Sequence, residues 1–472
     1  MNRKIAFGFW LMAAGCLPAG AQRVLTLDSC RQMALRNNKQ LSISKMKQDV
    51  AANERKSART KYLPHVNALG TYVHTTKEVS ILNDGQKFVL SNVGTGLVSQ
   101  LPAQIQEKLG GLQTALNALG QDVVDAFRTD TRDIFAGTVA LTQPVFMGGS
   151  IIAFNKIADI KERIAANALD ASRQSTLYTI DQAYWQVVSL YHKQKLAQSY
   201  LDLVQKFDTD VYKMIDEGVA TKSDGLSVDV KVNEAEMTLT KVNDGLVLSR
   251  MLLNQLCGLP LDEQVTLADE QAENIAVVEI AAKPDVEMAV ANRPELKLLE
   301  NTVALSKQAT NVLKAGNLPQ VVLTGGYLIS NPNVFNGFEK KFSGMWNVGV
   351  SVRVPIWNWG DVMYKVRASK GTTAIVNLEL ADVREKIELQ VNQTAFKVEE
   401  ANKKLAMAQK NIQHAEENLR MANLGFSEGV ISPTTVMEAQ TAWLQAQSQK
   451  IDAEIDVKLS QVDLQKALGT LQ

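Results

Sequence analysis

Residues 346–360 read WNVGVSVRVPIWNWG and have an alternating pattern, in which every second residue is apolar. The residues between the apolar positions are small or polar until Pro355. A period of two predicts a β-strand with one apolar and one polar face. Pro355 ends this strand and Trp359-Gly360 forms a turn. The alternating apolar positions are Trp346, Val348, Val350, Val352, Val354 and Ile356.

A long helical pattern follows this strand, running from Asp361 to Phe426 with no proline before Pro433. As one helix, a segment of this size would be roughly 100 Å long at 1.5 Å per residue. Few soluble domains are that wide, so the pattern favours a tube or a rod.

The same helix carries two series of residues with a spacing of seven. Large residues in one series and mostly alanines in the other are typical of a coiled-coil seam. A plain coiled-coil rod, a secreted structural protein without a channel, is therefore the alternative interpretation, but it leaves the preceding strand unexplained. The first series is Val391, Val398, Leu405, Ile412, Leu419 and Phe426, and the second is Thr394, Ala401, Ala408, Ala415 and Ala422.

The amino terminus predicts export from the cytoplasm. Residues 1–21 combine a basic start, an apolar core and the small-residue site Ala19-Gly20-Ala21, as a secretory signal does. Lipid attachment at Cys16 is the alternative interpretation of the same segment. No later run of 18 apolar residues exists, so a membrane role would depend on strands.

Composition excludes several classes of function. The 472 residues include 50 basic and 50 acidic side chains, and this balance gives no indication of a nucleic-acid partner. The three cysteines and four histidines form no cluster with metal-ligand spacing. No nucleophile elbow, phosphate loop or paired-acid motif is present. The sequence therefore predicts no catalytic residues, no metal and no cofactor.

Internal similarity indicates two copies of one unit. Residues 33–37 match residues 288–292, and 63–64 match 318–319, at an offset of 255 residues. Further along, Pro144 matches Pro355 and residues 217–219 match 428–430 at an offset of 211. The change in offset indicates that the first copy carries an insertion between its two strands.

The repeat defines the expected domain organisation. The first repeat covers residues 22–258, an intervening segment 259–284, and the second repeat 285–472. In the first we expect a helix at 28–62 begun by Asp28, strands at 66–73 and 135–145, and helices at 151–216 and 224–256. In the second we expect a helix at 285–316, strands at 320–329 and 345–356, and helices at 361–427 and 434–469. A long loop, 74–132, holds an apolar helix or hairpin at 101–127, and 277–281 is a short strand.

Four strands in one chain require an oligomer. Four strands cannot close a barrel, and open strand edges are not tolerated in lipid. Three chains would supply twelve strands around a water-filled lumen. The predicted lipid-facing residues are Trp346, Val348, Val350, Val352, Val354, Phe135, Val139 and Leu141.

The duplicated pattern resembles the TolC family of outer membrane efflux proteins. The resemblance covers nearly the whole mature chain, and it is carried by EGVATKSD at 217–224, EGVISPTT at 428–435 and VMEAQ at 436–440. It implies a mainly α fold with membrane β-structure: a homotrimeric 12-stranded barrel on a helical periplasmic tunnel. It also implies partners, namely outer membrane lipid, a periplasmic adaptor and an inner-membrane transporter. The predicted function is the exit duct of a tripartite efflux or type I secretion system, with the cargo chosen by the pump.

The resemblance also implies functional positions at the turns. Adaptor-docking residues would be Gly218, Val219, Ala220, Thr221, Gly429, Val430, Ile431 and Ser432. Glu438 matches an acidic ring at the closed periplasmic gate, and Asp224 matches an acid that joins the two hairpins. Phe426 lacks the hydroxyl of the tyrosine found in the best-studied members, and Ile431 replaces an arginine. We therefore expect hydrophobic closure by Phe426 instead of a polar connection.

Two cysteines remain in the predicted mature chain. Cys30 begins the first helix and Cys257 ends the helix that closes the first repeat, so both should lie near the junction of the repeats. In an oxidising periplasm they are candidate disulfide partners, and two free thiols are the alternative.

Overall fold

The structure, a computed structural model, describes residues 23–78, 80–128, 130–272, 285–333, 335 and 339–471. The predicted signal at 1–21, with Cys16, and the predicted strand at 277–281 lie outside these residues. The chain divides into two compact units, which are described separately below. The first comprises the described part of Met1–Ala52, Ile160–Val303 and Ala374–Gln472, and the second comprises Asn53–Asp159 and Ala304–Thr373.

Helices dominate the order of elements. The strands and α-helices, in chain order, are β1 (Arg23–Leu25), α1 (Leu27–Asn37), α2 (Lys39–Thr60), β2 (His65–His74), α3 (Asp84–Ser91), α4 (Val93–Val98), α5 (Ala103–Gln106), α6 (Gly110–Ala126), β3 (Asp133–Met147), α7 (Ser150–Asp216), α8 (Lys222–Cys257), β4 (Val265–Leu267), α9 (Val286–Asn292), α10 (Pro294–Lys314), β5 (Gln320–Asn331), β6 (Ser343–Arg353), α11 (Asp361–Ser427) and α12 (Pro433–Ala467). None of the helices in the described ranges is both long enough and apolar enough to cross a bilayer.

The two long predicted helices match the structure closely. α7 and α11 each contain 67 residues, and both end within one residue of the predicted position. The returning helices α8 and α12 contain 36 and 35 residues. Each long helix is therefore followed, after a tight turn, by a helix of about half its length.

The two short predicted helices are wrong as single elements. The segment 28–62 divides at Asn38, whose extended backbone ends α1 and whose Oδ1 accepts a hydrogen bond from Leu41 N at 3.0 Å in α2. The segment 285–316 divides at Arg293, which is extended because Pro294 disfavours the helical conformation of the residue before it. The cap of α1 is Thr26 and not Asp28, since the Thr26 side chain accepts from Ser29 N.

The seam predicted on α11 is buried. Val391 and Val398 are inaccessible to solvent, and the alanines of the second series are buried with them. Ala401, Leu405 and Ala408 pack against Ala453 and Val457 of α12. The small side chains of this seam suit a close approach of the two helices.

A buried polar region surrounds the short parallel pair formed by β1 and β4. Asp181 of α7 has a fully buried carboxylate, which accepts a hydrogen bond from Arg31 Nε at 2.7 Å. Burial raises the pKa of Asp181, although the Arg31 guanidinium opposes this shift. Glu270, also buried, pairs with Arg250 at 3.0 Å. Removing one member of either pair would leave a charge in an apolar environment.

The second unit contains an antiparallel sheet with the strand order β2-β3-β5-β6. All four predicted strands are present, and their observed bounds differ from the predicted ones by three residues or fewer. A bulge between Pro144 and Phe146 interrupts the ladder of β3 where proline cannot donate a hydrogen bond. Within the described residues, β2 and β6 are the two edges of the sheet.

The predicted lipid-facing residues that lie within β3 and β6 share one face of this sheet, whereas Val354 follows the end of β6. Register pairs place Val139 beside Tyr327 and Tyr327 beside Trp346, so these side chains form one row across three strands. Leu141, Gly325 and Val348 form the next row. Trp346 is 76% exposed, and the following apolar residues of β6 are exposed as well. Among the described residues, this face is therefore apolar and uncovered.

The inserted loop is more extensively helical than predicted. Helices begin at Asp84, whereas the sequence places the apolar helix or hairpin at 101–127. α6 packs closely on the first helices, since a Cβ at Gly120 would lie 1.8 Å from the carbonyl oxygen of Leu90. The loop is thus a small folded element that retains exposed apolar side chains such as Phe88 and Leu119.

Candidate functional site at the two hairpin turns

The first turn joins α7 to α8 through Gly218, which has a φ of 76°. Val219 N donates to the carbonyl oxygen of Met214 at 2.8 Å, and Gly218 N donates to that of Ile215 at 3.0 Å. This pair of bonds is a Schellman motif, which satisfies the last carbonyl groups of a helix and requires a left-handed residue. Glycine suits this position because it has no Cβ and adopts a positive φ without strain.

The second turn repeats the same geometry between α11 and α12. Gly429 has a φ of 72°, and Val430 N donates to the carbonyl oxygen of Gly425 at 2.8 Å. Ser432 then caps α12, with Pro433 in the first turn of that helix. Proline is favourable there because the first helical N–H groups have no partner within the helix. Both turns are consequently rigid and of one kind.

Exposed valines lie at the outermost part of each turn. Val219 is 64% exposed and Val430 is 79% exposed. Beside them, Thr221 and Ser432 are exposed cap residues, whereas Ala220 and Ile431 are half-buried. Each turn therefore presents one uncovered apolar side chain next to small or polar groups.

Asp224 forms the capping box of its own helix. Its Oδ2 accepts hydrogen bonds from Thr221 N at 2.9 Å and from Thr221 Oγ1 at 2.7 Å. These two donors lower the pKa of the Asp224 carboxyl group. In this structure the Asp224 carboxylate is hydrogen-bonded within the first turn, and its role as an acid that joins the two hairpins stays a prediction.

Phe426 packs between the two hairpins. Only 7% of its surface is exposed, and its ring centroid lies 4.9 Å from that of Phe207 at an interplanar angle of 57°. Val211, Val228 and Val436 belong to the same buried cluster. The contact that holds α7 against α11 near the turns is therefore apolar.

A groove of about 660 Å³ opens beside this aromatic pair. Its walls combine apolar residues with charged residues of both signs. Gln440 lines it and is almost fully buried, and its Oε1 has no hydrogen-bond partner among the described residues. The lining residues that matter here are Phe207, Met214, Phe426, Lys206, Glu217 and Gln440.

Glu438 is exposed on α12, six positions after its cap Ser432. Thr435, which occupies the position where an aspartate is often found in the family that this sequence resembles, donates its backbone N–H to Ser432 Oγ at 3.4 Å. The three gate candidates thus occupy different environments. Phe426 is buried, Asp224 is hydrogen-bonded in a cap, and Glu438 faces solvent.

Two residues of this region were not identified from the sequence. Phe207 follows Tyr200 and Val204 and precedes Val211, a spacing of three and four that marks a buried helical stripe. This signal could have found Phe207. The sequence gives no such signal for Gln440, because the lack of a hydrogen-bond partner for its Oε1 depends on how the hairpins pack.

Cys30 and Cys257 lie together, as expected, in the buried region of the first unit. Both are inaccessible to solvent, and both are free cysteines in the structure, so the candidate disulfide is not formed in it. Across the described ranges, no group of three or more histidine, cysteine or acidic residues is arranged to hold a metal ion.

The sequence matches the family described as outer membrane efflux protein over residues 30–259 and 286–470. The outer membrane protein TolC of Vibrio cholerae is 20% identical over 72% of this chain and 77% of its own length. The solvent efflux pump outer membrane protein SrpC of Pseudomonas putida is 25% identical, with 38% of each chain covered.

Solved structures agree in fold. CusC has a TM-score of 0.74 at 15% identity, covering 94% of this chain and 92% of its own. VceC of Vibrio cholerae has a TM-score of 0.74 at 14% identity, covering 94% of this chain and 96% of its own.

Proposed function

Because the chain belongs to the outer membrane efflux protein family, we propose that it is the exit duct of a tripartite efflux or type I secretion system. As a member it is an outer membrane efflux channel and not an enzyme. The duct conducts substrates passively from a periplasmic adaptor and an inner-membrane transporter to the outside.

The observation that carries this proposal is the exposed apolar face of the four-stranded sheet. An uncovered face with residues such as Trp346 and Val350 suits the lipid side of an outer membrane strand. The edges β2 and β6 need partners, because unpaired backbone groups are costly in lipid. A homotrimer would pair β6 of one copy with β2 of the next and give twelve strands. A plain coiled-coil rod would not explain why this face of the sheet is apolar and exposed.

The hairpin turns are the proposed adaptor-docking sites. Their two Schellman motifs hold Val219 and Val430 outward on rigid backbones, so a partner meets apolar contacts at little cost in conformational entropy. The groove beside them has an unused acceptor, Gln440 Oε1, which a donor from the adaptor would satisfy.

The periplasmic gate, in this proposal, closes through apolar packing. Separating the second hairpin from the first exposes Phe426 and Phe207, which favours the closed arrangement until an adaptor binds. Three copies of Glu438 would form a ring of negative charge that attracts cations.

The inner-membrane transporter, and not the duct, selects the cargo. SrpC is named for solvent efflux, and the relative CusC of Escherichia coli is named for cation efflux at 21% identity over 38% of each chain. Relatives with such different cargo share the family, so we assign substrate choice to the inner-membrane transporter.

Two measurements on the detergent-extracted protein test the duct. Native mass spectrometry should give a trimer, and planar lipid bilayers should show discrete single-channel currents. A protein that is released from membranes by salt, or that is monomeric and gives no currents at any voltage, would exclude the duct and favour the coiled-coil alternative.

A further inference from the structure

Two buried thiols bring together the start of α1 and the end of α8. Cys257 Sγ lies 3.9 Å from the carbonyl oxygen of Cys30, although 227 residues separate the two cysteines in sequence. Both side chains are inaccessible to solvent and belong to the cluster that includes Leu25, Leu253 and Val265.

The backbone on both sides of this pair is fixed. Asn37 Nδ2, at the end of α1, donates to the carbonyl oxygen of Cys257 at 2.7 Å. The next residue, Gly258, is left-handed, and a Cβ there would lie 2.5 Å from Cβ of Asn37. The two helices are therefore held in close contact at the point where the cysteines meet.

We propose that Cys30 and Cys257 are joined by a disulfide in the exported protein. They are the two cysteines of the described residues, and they lie side by side in a chain that the family assigns to an oxidising compartment. A bond between them would close a covalent loop of more than two hundred residues, which contains the whole first repeat except its first residues.

The chemistry is thiol–disulfide exchange with a periplasmic disulfide-bearing oxidoreductase. The thiolate of one of the two cysteines attacks one sulfur of the oxidant, whose S–S bond breaks to give a mixed disulfide and one free thiol on the oxidant. The thiolate of the other cysteine then attacks the Sγ of the first cysteine, forming the new S–S bond and releasing the second thiol of the oxidant. Two electrons and the two thiol protons thus pass to the oxidant.

Because both residues are buried after folding, the oxidant must act before α1 docks on α8. The finished bond is then protected from reductants, as structural disulfides are.

A direct test is peptide mapping of the protein purified from outer membranes. A non-reduced digest should contain one species that joins the Cys30 and Cys257 peptides and is lighter than their sum by two hydrogen atoms. Recovery of both peptides alkylated, without prior reduction, would overturn the proposal.

Thermal unfolding separates a covalent bond from simple packing. If the bond exists, Cys30→Ala, Cys257→Ala and the double variant should lose about the same stability, because each removes the same link. A reductant should lower the midpoint of the wild type and leave the double variant unchanged. Losses that add between the single variants, with no effect of reductant, would contradict the bond while leaving the exit-duct function intact.

Discussion

At the scale of single residues, the contact of Phe426 with Phe207 has the clearest functional consequence. The sequence predicts hydrophobic closure from Phe426 alone, and the structure supplies its partner on the other hairpin. An aromatic pair buried between two helices stabilises their contact through apolar area and ring geometry. The energy of this contact would then oppose opening.

We expect Phe426→Ala to open the duct. Truncation of a buried phenylalanine costs about 3–5 kcal/mol, and even a third of this loss in the closed state would raise the open fraction about tenfold. Phe396→Ala is the matched control, because Phe396 lies on the same helix and is 65% exposed. Equal single-channel open probabilities for the two variants in planar bilayers would remove Phe426 from the gate.

Glu438→Gln tests the proposed acidic ring. Since Glu438 is exposed, the neutral variant should fold normally and show a lower preference for cations over anions. Reversal potentials in a salt gradient measure this preference. Glu379→Gln, at an exposed position on the other helix α11, should leave this preference unchanged, and the same shift in both variants would argue against a specific ring.

Asp224 should make the first turn sensitive to acid. Its pKa is lowered in the folded chain by Thr221, so its contribution to stability is present above the unfolded pKa and is lost as pH falls through the folded pKa. Protease cleavage at the turn should therefore increase below about pH 4. Asp224→Asn should cleave more readily near neutral pH and show a flatter dependence, whereas an unchanged profile would exclude the cap as its cause.

At the scale of elements, the seam between α11 and α12 fixes the second hairpin. Alanines of the seven-residue series face Ala453 and Val457, so the helices are separated by small side chains. Close packing of this kind tolerates little extra volume, since interiors are packed to the density of organic crystals.

Ala408→Leu should therefore destabilise this hairpin. Ala408 is 8% exposed, and overpacking such a site costs about 1–3 kcal/mol. The neighbouring Met407, which is 70% exposed, offers Met407→Leu as a control with little expected effect. Thermal unfolding of the purified protein should separate the two, and equal midpoints would mean that the seam adapts without cost.

The elements differ in how closely the sequence predicts their bounds. The ends of α7 and α11 are predicted to within one residue, because a long run of residues with helical periodicity is compatible with few other conformations. The break at Asn38 is missed because polar residues surround it and no proline marks it. Pro294 could have marked the break at Arg293. The sequence predicts the turns at Gly218 and Gly429. It does not predict the hydrogen bonds of the Asp224 carboxylate, because these depend on which donors lie nearest in the folded chain.

At the scale of the whole molecule, a single chain is incomplete in two respects. Its sheet has two edges, and one face of that sheet is apolar and uncovered. In the proposed trimer, backbone pairing with further copies would satisfy the edges, and lipid would cover the face. The same assembly would meet both needs, so loss of the apolar face should prevent insertion and not simply weaken the fold.

Val350→Asp should therefore remove the protein from the outer membrane. Val350 lies on the apolar face, and a charged side chain on the lipid side of a barrel strand is destabilising by up to about 2–4 kcal/mol, with Asp at the lower end. The next residue along β6, Ser351, points to the opposite face of the strand, so Ser351→Asp introduces the same charge on the polar side. Detergent-extracted outer membranes should contain Ser351→Asp at wild-type levels and strongly reduced amounts of Val350→Asp. Equal amounts of both variants would mean that this face does not contact lipid, and reduced amounts of both would point to a general defect of β6.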